Sequence, residues 1–245
     1  QPAGQWTWAE IEQALDEAAE ANPDISYAII DDASEDSTAD NVAQLTFAEN
    51  EGSFLVGAAA AMKSKSGNIG FIGGTDVPLI NKFEAGFEAG AKAVDPEIEV
   101  QSQYLADDGS GFADPAKGQT AAEGMYDKGA DVIYQAAGGS GSGIFEATKA
   151  NKKMAIGVDS DQAKTADASV RDVIITSMVK NVNVAVFDYV KAATEGEQQS
   201  GNIVFDLKAG GVGYSTTGGK IDDITSDLDD YKQQIIDGEI TVPSS

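Results

Sequence analysis

Residues 131–149 read DVIYQAAGGSGSGIFEATK. An apolar run from Val132 to Ala137 passes into glycines and serines, and these lead at once into Ile144 and Phe145. Strand, small-residue turn and helix form the repeating unit of a parallel sheet, because a parallel neighbour needs a crossover long enough to return along the sheet. The glycines raise a chemical question: a phosphate cradle, the approach of a neutral ligand, or a plain turn. Gly138 and Gly143 have the spacing of a P-loop, but Ile144 and Phe145 stand where Lys and Ser or Thr are required. No dinucleotide fingerprint can be threaded through residues 138–146 either, because Ile144 and Glu146 occupy its closing positions. What remains is a helix N-terminus with free N–H groups behind Gly138 and Gly139, where small residues let a ligand approach the backbone.

The same alternation extends along the chain. Ile11, Leu15 and Ala18 sit at helical spacing within residues 9–22, and SYAIIDD and NVAQLTF read as strands. Residues 50–65 read as an Ala-rich helix and NIGFIGG as a strand; Ile80, Phe83, Phe87, Ala91 and Val94 then share one helix face before Pro96. Further strands are IEVQSQYL, KMAIGVDSD and DVIITSMV, separated by amphipathic segments, and NVNVAVFDYVKAATEG reads as a helix. GNIVFDL and GGVGYS read as strands, and a helix over residues 222–237 closes the pattern. Apolar strands alternating with amphipathic helices require parallel sheets covered on both faces, an α/β fold. At 245 residues the chain suits one large domain or two lobes.

Composition limits the chemistry. Against 41 Asp and Glu stand 16 Lys and Arg, a formal charge of −25, so nucleic acid and anionic membranes are repelled. His and Cys are both absent, which excludes Ser-His-Asp triads, cysteine nucleophiles and Cys/His zinc sites. No run approaches the roughly 18 apolar residues of a membrane-spanning helix. QPAGQWTW carries no basic leader, so a soluble chain with any signal segment already removed is expected.

Two polar features stand out. Asp159 and Asp161 close the strand AIGVDSD, where a carboxylate either caps the next segment or accepts two hydrogen bonds from the vicinal hydroxyls of a sugar. Too few neighbouring carboxylates accompany them for calcium, and no metal site is expected. Lys180 ends the following strand; it is either a surface lysine at a helix start or a partner that balances Asp159 and donates to the same ligand. Phe112, in an irregular stretch, and Tyr134, near a strand end, are the aromatics open to stacking on a planar ring, with packing as the alternative for each. Phe83 and Phe87 belong to the core by their helical spacing.

Taken together, GFIGGTDVPLINKFEAGFEAGAKAV, DVIYQAAGGSGSGIFEATK, AIGVDSDQ, SMVKNVNVAVFDYV and GEITVP resemble the basic membrane protein family. These are the substrate-binding lipoproteins of nucleoside ABC transporters of the purine nucleoside receptor A type. The resemblance runs from about Asn22 to Pro243. It implies a type I periplasmic-binding-protein fold of two Rossmann-like lobes, with a nucleoside bound in the cleft between them and handed to permease subunits. Residues 1–48 would be the remainder of the first lobe, with part of 177–215 crossing back to it. Residues 49–176 would form the second lobe, with 216–245 returning to it. By the same resemblance Asp159 corresponds to the family's ribose-binding aspartate, Lys180 to its lysine partner, and Asp31 to the carboxylate offered by the first lobe. Phe112 and Tyr134 are the candidates for the ring that stacks on the base, and Gly138 and Gly139 border the ligand. The family's opening βα units and its D-x-x-F-N type motif are not in this sequence, and neither is a lipid-attachment cysteine. The resemblance implies that roughly 70 to 90 residues of the first lobe are missing from this sequence or that the chain is a fragment, and the strands given are too few for an independent core. An extracytoplasmic, monomeric, non-enzymatic receptor follows, held to the membrane only by a lipid anchor outside this chain and using no cofactor. A ligand-sensing regulatory domain, a sugar-binding receptor and a nucleoside-processing enzyme are the rival readings.

Overall fold

A computed structural model describes residues 8–32, 39–197 and 199–245. The first residues of the QPAGQWTW stretch lie outside them. In chain order the elements begin with α1 (Trp8–Ala21), β1 (Tyr27–Ile30), β2 (Val42–Phe47), α2 (Glu49–Lys63), β3 (Asn68–Thr75) and α3 (Pro78–Val94). Then come β4 (Glu99–Ala106), α4 (Pro115–Asp127), β5 (Val132–Ala136), α5 (Gly141–Asn151), β6 (Met154–Asp159) and a single turn, α6 (Gln162–Thr165). The chain ends with β7 (Ile174–Lys180), α7 (Val182–Thr194), β8 (Gly201–Phe205), β9 (Val212–Tyr214) and α8 (Thr225–Ile236). Among the described residues no helix is long and apolar enough to cross a membrane.

The chain divides into two units. The smaller comprises residues 1–47 and 182–205, and the larger 48–181 and 206–245. Of the span 177–215, only 182–205 belongs to the smaller unit; the end of β7 and residues 206–215 are part of the larger one.

In the smaller unit β1, β2 and β8 form a parallel sheet with β2 in the middle. All six residues of β2 are buried, as a central strand covered on both faces requires. Phe47 packs on Phe205 across the sheet at 5.8 Å between ring centroids. Asn41 ties the entry to β2, its amide donating to the carbonyls of Ala19, Asn22 and Ile25. Tyr189 of α7 donates to the carbonyl of Tyr27 at 2.6 Å.

The larger unit has six strands in the order β4-β3-β5-β6-β7-β9. The first five are parallel, so the α/β reading holds. β9 departs from it, pairing antiparallel with β7. The reason is local: Asn181, just beyond β7, donates from its backbone to Gly211 and from its side chain to Gly210. The returning chain therefore enters beside the carboxyl end of β7 and can only run back along it. Between β3 and β5 the connections leave in opposite directions, one toward β4 and the other toward β6. Such a switch point opens a crevice at the carboxyl ends of the strands.

The helices start where local chemistry fixes them. Pro115 occupies the first helical position of α4, and the Asp114 carboxylate accepts the backbone N–H of Lys117. Pro78 plays the first of these parts in α3, whose Ile80, Phe83, Phe87 and Ala91 are buried as their spacing predicts. Phe71, Phe87 and Tyr134 meet beneath the sheet with centroids 5.2 to 6.3 Å apart. Aromatic contacts of this kind contribute about 0.5–1.5 kcal/mol each beyond the area they bury.

Candidate functional site

The carboxyl ends of β3, β5, β6 and β7 in the larger unit carry most of the residues singled out above. At the switch point, the turn after β5 begins with Gly138 at φ 53°, a conformation that disfavours any side chain with a Cβ. The Phe112 ring lies against this turn and against Gly74 at the end of β3. A Cβ on Gly74 would fall 2.4 Å from ring atoms, and one on Gly138 would fall 3.4 Å from the Phe112 Cβ. Phe112 closes a short 3-10 turn, Gly109–Phe112, which Asp108 caps by accepting the backbone N–H of Ser110. Ser140 fastens this loop to the glycine turn, donating to the carbonyl of Gly111 at 2.7 Å and accepting from the backbone N–H of Asp114 at 2.8 Å. Gly143 lets α4 come close, since a Cβ there would sit 1.8 Å from the carbonyl oxygen of Pro115. Much of the glycine run is thus occupied by the protein's own backbone, and the residues left exposed are Gly138, Gly139 and Ser142.

β6 ends differently. Asp159 is exposed and sits at φ 63°, and Ser160 closes a tight turn by donating to the carbonyl of Val158 at 2.7 Å. Three described residues other than glycine have positive φ. Lys152 is a helix cap; the other two, Asp159 and Asp31, each stand directly after or at the end of a parallel strand, at φ 63° and 64°. Asp and Asn adopt this region more readily than other side chains, and backbone held there concentrates at ligand sites. Asp31 is half-buried at the end of β1 in the smaller unit, its backbone donating to Leu45 at 3.1 Å.

Asp161 has a different task. Its carboxylate accepts Thr217 at 2.5 Å and pairs with Lys164 at 2.8 Å, so it anchors the turn instead of facing outward. Burial raises its pKa, but the hydrogen bonds from Lys164, Thr217 and Ser215 and the charge of Lys164 outweigh that and hold it below the usual carboxylate value. Gln162 completes the support. Its side-chain oxygen accepts the backbone N–H of Val158 and the amide of the fully buried Gln135, both at 2.8 Å.

Lys180 lies at the end of β7. Because Asp159 is in register with Val179, Lys180 falls one residue past Asp159 on the adjacent parallel strand, so the two strand ends bring these residues to one edge. The lysine side chain is 6 % exposed, its Nζ lies 3.5 Å from Glu49 Oε1, and it stands 5.9 Å from the centroid of the Phe83 ring. It is therefore no surface lysine.

Tyr134 requires a correction. As a candidate for stacking on a ligand ring it needs an open face, but it is fully buried between Phe71 and Phe87. Its hydroxyl is 3.2 Å from the Ser53 hydroxyl. Burial first, with the charges of Asp159 and Glu49 behind it, pushes its phenol well above the ordinary value. Tyr134 is a core residue beneath the site, and Phe112 is the aromatic at the strand ends.

Glu49 escaped the sequence reading. It opens α2, is fully buried, and its second oxygen lies 3.4 Å from Lys82. A glutamate directly before an Ala-rich apolar helix was the available signal. Among the described residues no group of three or more carboxylates is arranged to hold a metal ion.

At this edge of the sheet β6 ends in Asp159 and β7 in Lys180, and the Phe112 ring lies against the turn that follows β5. The described fold superposes with a TM-score of 0.77 on a crystal structure of ABC transporter system solute-binding proteins from Aeropyrum pernix K1. That match is 27 % identical and covers 96 % of this chain and 75 % of the other. The protein has the architecture of an ABC-system solute-binding protein. More narrowly, residues 8–245 match the family described as ABC transporter substrate-binding protein PnrA-like, and the chain belongs to that family. A relative from Lactococcus lactis subsp. cremoris named ABC transporter nucleoside-binding protein BmpA is 39 % identical over 252 residues, covering 96 % of this chain and 69 % of the relative. The CD4+ T-cell-stimulating antigen of Listeria monocytogenes is 38 % identical over 247 residues, covering 95 % of this chain and 68 % of its own length. The chain thus spans about two thirds of the length of these relatives.

Proposed function

We propose that the protein binds a nucleoside, purine nucleosides first among them, and delivers it to the membrane subunits of an ABC transporter from the outer side of the membrane. The observation that carries this reading is the pairing of Asp159 and Lys180 at adjoining strand ends, one exposed and held at positive φ, the other buried and oriented. A carboxylate offers two acceptor oxygens to two vicinal hydroxyls, and charge-assisted hydrogen bonds contribute about 1.5–3 kcal/mol each. The ammonium balances the carboxylate and donates to a sugar oxygen. Phe112 supplies a flat apolar surface for the base, and base–aromatic stacking contributes about 1–3 kcal/mol in nucleic-acid sites. Gly138 and Gly139 leave backbone exposed beside the ring. Asp31, in the same backbone conformation, is the carboxylate this reading assigns to the smaller unit. The name of the Lactococcus relative supports the ligand class.

On this reading the groups hold the nucleoside without chemistry, as the name of the Lactococcus relative supports. Titration calorimetry of the full chain with inosine, guanosine, adenosine, uridine and ribose tests the proposal. Binding of at least one nucleoside at micromolar or tighter dissociation constant, with ribose far weaker, is the expected outcome. Failure of every nucleoside to bind below millimolar overturns it.

A further inference from the structure

Glu49 is the most thoroughly buried carboxylate near the strand ends, and its oxygens face two lysines. Oε1 lies 3.5 Å from Lys180 Nζ and Oε2 lies 3.4 Å from Lys82 Nζ. The side chain is 1 % exposed, against 6 % for Lys180 and 27 % for Lys82. Glu49 is also the first residue of α2, where the partial positive charge of a helix N-terminus favours an anion. Beneath it, one turn further on, Ser53 meets the hydroxyl of Tyr134, whose phenol feels the charges of both Glu49 and Asp159.

We infer that Glu49 is the positioning residue for Lys180: its carboxylate fixes where the Lys180 ammonium points, and thereby sets how strongly the protein distinguishes a ligand with sugar hydroxyls from one without. The inference rests on the assignment of Lys180 to the sugar. A lysine chain has several freely rotating bonds, and its ammonium is directed only when something holds it. Here the Phe83 ring lies 5.9 Å from the ammonium and the Glu49 carboxylate 3.5 Å from it. Charge points the same way: the Glu49 carboxylate lies between the two ammonium groups, and removing its charge would take away the negative group that faces both. An anchor that merely stapled α2 to β7 would not need the second lysine, nor a lysine that ends a strand beside an exposed aspartate.

The test is a double-mutant cycle read by calorimetry with inosine and 2′,3′-dideoxyinosine on the full chain. Glu49→Gln, an isosteric change, is expected to weaken inosine about tenfold and the dideoxy analogue less than about twofold. Glu49→Gln combined with Lys180→Met should bind inosine no more weakly than Lys180→Met alone. Should Glu49→Gln fold poorly, Glu49→Gln with Lys82→Met restores the charge balance and is expected to show the same selective loss. A ligand-free readout separates this inference from the nucleoside reading. The ammonium protons of Lys180, observed by nitrogen-15 NMR, should exchange slowly in the native protein and be lost in Glu49→Gln. An additive cycle, an equal loss for both ligands, or an unchanged Lys180 signal overturns the positioning role. If the native protein binds no nucleoside while the Lys180 signal does depend on Glu49, the nucleoside assignment is what fails.

Discussion

The turn after β5 and the turn after β6 leave the same sheet at the same edge, yet they spend their residues differently. After β5 the small residues admit the protein itself: the Phe112 ring at Gly74 and Gly138, and the Pro115 carbonyl at Gly143. After β6 the side chains are divided, with Asp161 and Gln162 holding the turn from inside and Asp159 turned out. The glycine-rich turn positions an aromatic ring, and the acidic turn presents a charge. Glycines in a sequence therefore mark close approach without saying whose atoms approach.

The largest effect that would sharpen this contrast is expected at Asp159. Asn tolerates positive φ nearly as well as Asp, so Asp159→Asn should keep the fold while removing the charge from two hydrogen bonds. Nucleoside affinity is expected to fall about 100-fold by calorimetry, with the melting temperature unchanged within about 2 °C. A variant that loses stability but not affinity would make Asp159 a turn residue like Asp161. On the other side of the comparison, Gly143→Ala forces α4 away from α5. Overpacking of this kind costs about 1–3 kcal/mol, read as a melting temperature lower by about 2–10 °C. An unchanged melting temperature would show that the glycine turn has room to spare.

Phe112 and Tyr134 break the comparison at its aromatic pair. Phe112→Ala is expected to weaken nucleoside binding about tenfold, whereas Tyr134→Phe should leave affinity alone and cost about 0.5–1.5 kcal/mol of stability through the lost Ser53 contact. The reverse pattern in the same titrations and melts would restore Tyr134 as the ligand ring. The smallest effect concerns pH. Because the Asp161 carboxyl is held below its ordinary value, its contribution to stability is present above the unfolded-state value and disappears as pH falls through the folded one. Acid melts between about pH 5 and pH 2 should be less steep for Asp161→Asn than for the native chain.

Much of the fold was legible because both units are built from alternating strands and helices, whose periods differ. Proline and aspartate at residues 114–115 even mark the helix start that the structure shows. The antiparallel β9 was not legible, because a three-residue strand has no pattern that states its direction. It is set by where the chain returns beside Asn181. Tyr134 misled for a related reason: every residue of β5 is buried, so alternation does not distinguish a face toward the core from a face toward a ligand. Glu49 was hidden among 41 acidic residues: its place before an Ala-rich helix was visible, but its burial between two lysines distant in the chain was not. Asp159 and Lys180 were legible as strand-end residues. What the sequence did not carry was the positive φ of one and the burial of the other.

The central claim is that sugar hydroxyls, held at the ends of β6 and β7, carry recognition. It is tested most directly by titrating the native full chain with inosine and with 2′,3′-dideoxyinosine under identical conditions. The two ligands share a base and differ in the hydroxyls assigned to Asp159 and Lys180. The account predicts that the dideoxy compound binds about 100-fold more weakly. Equal affinities for the two would contradict it.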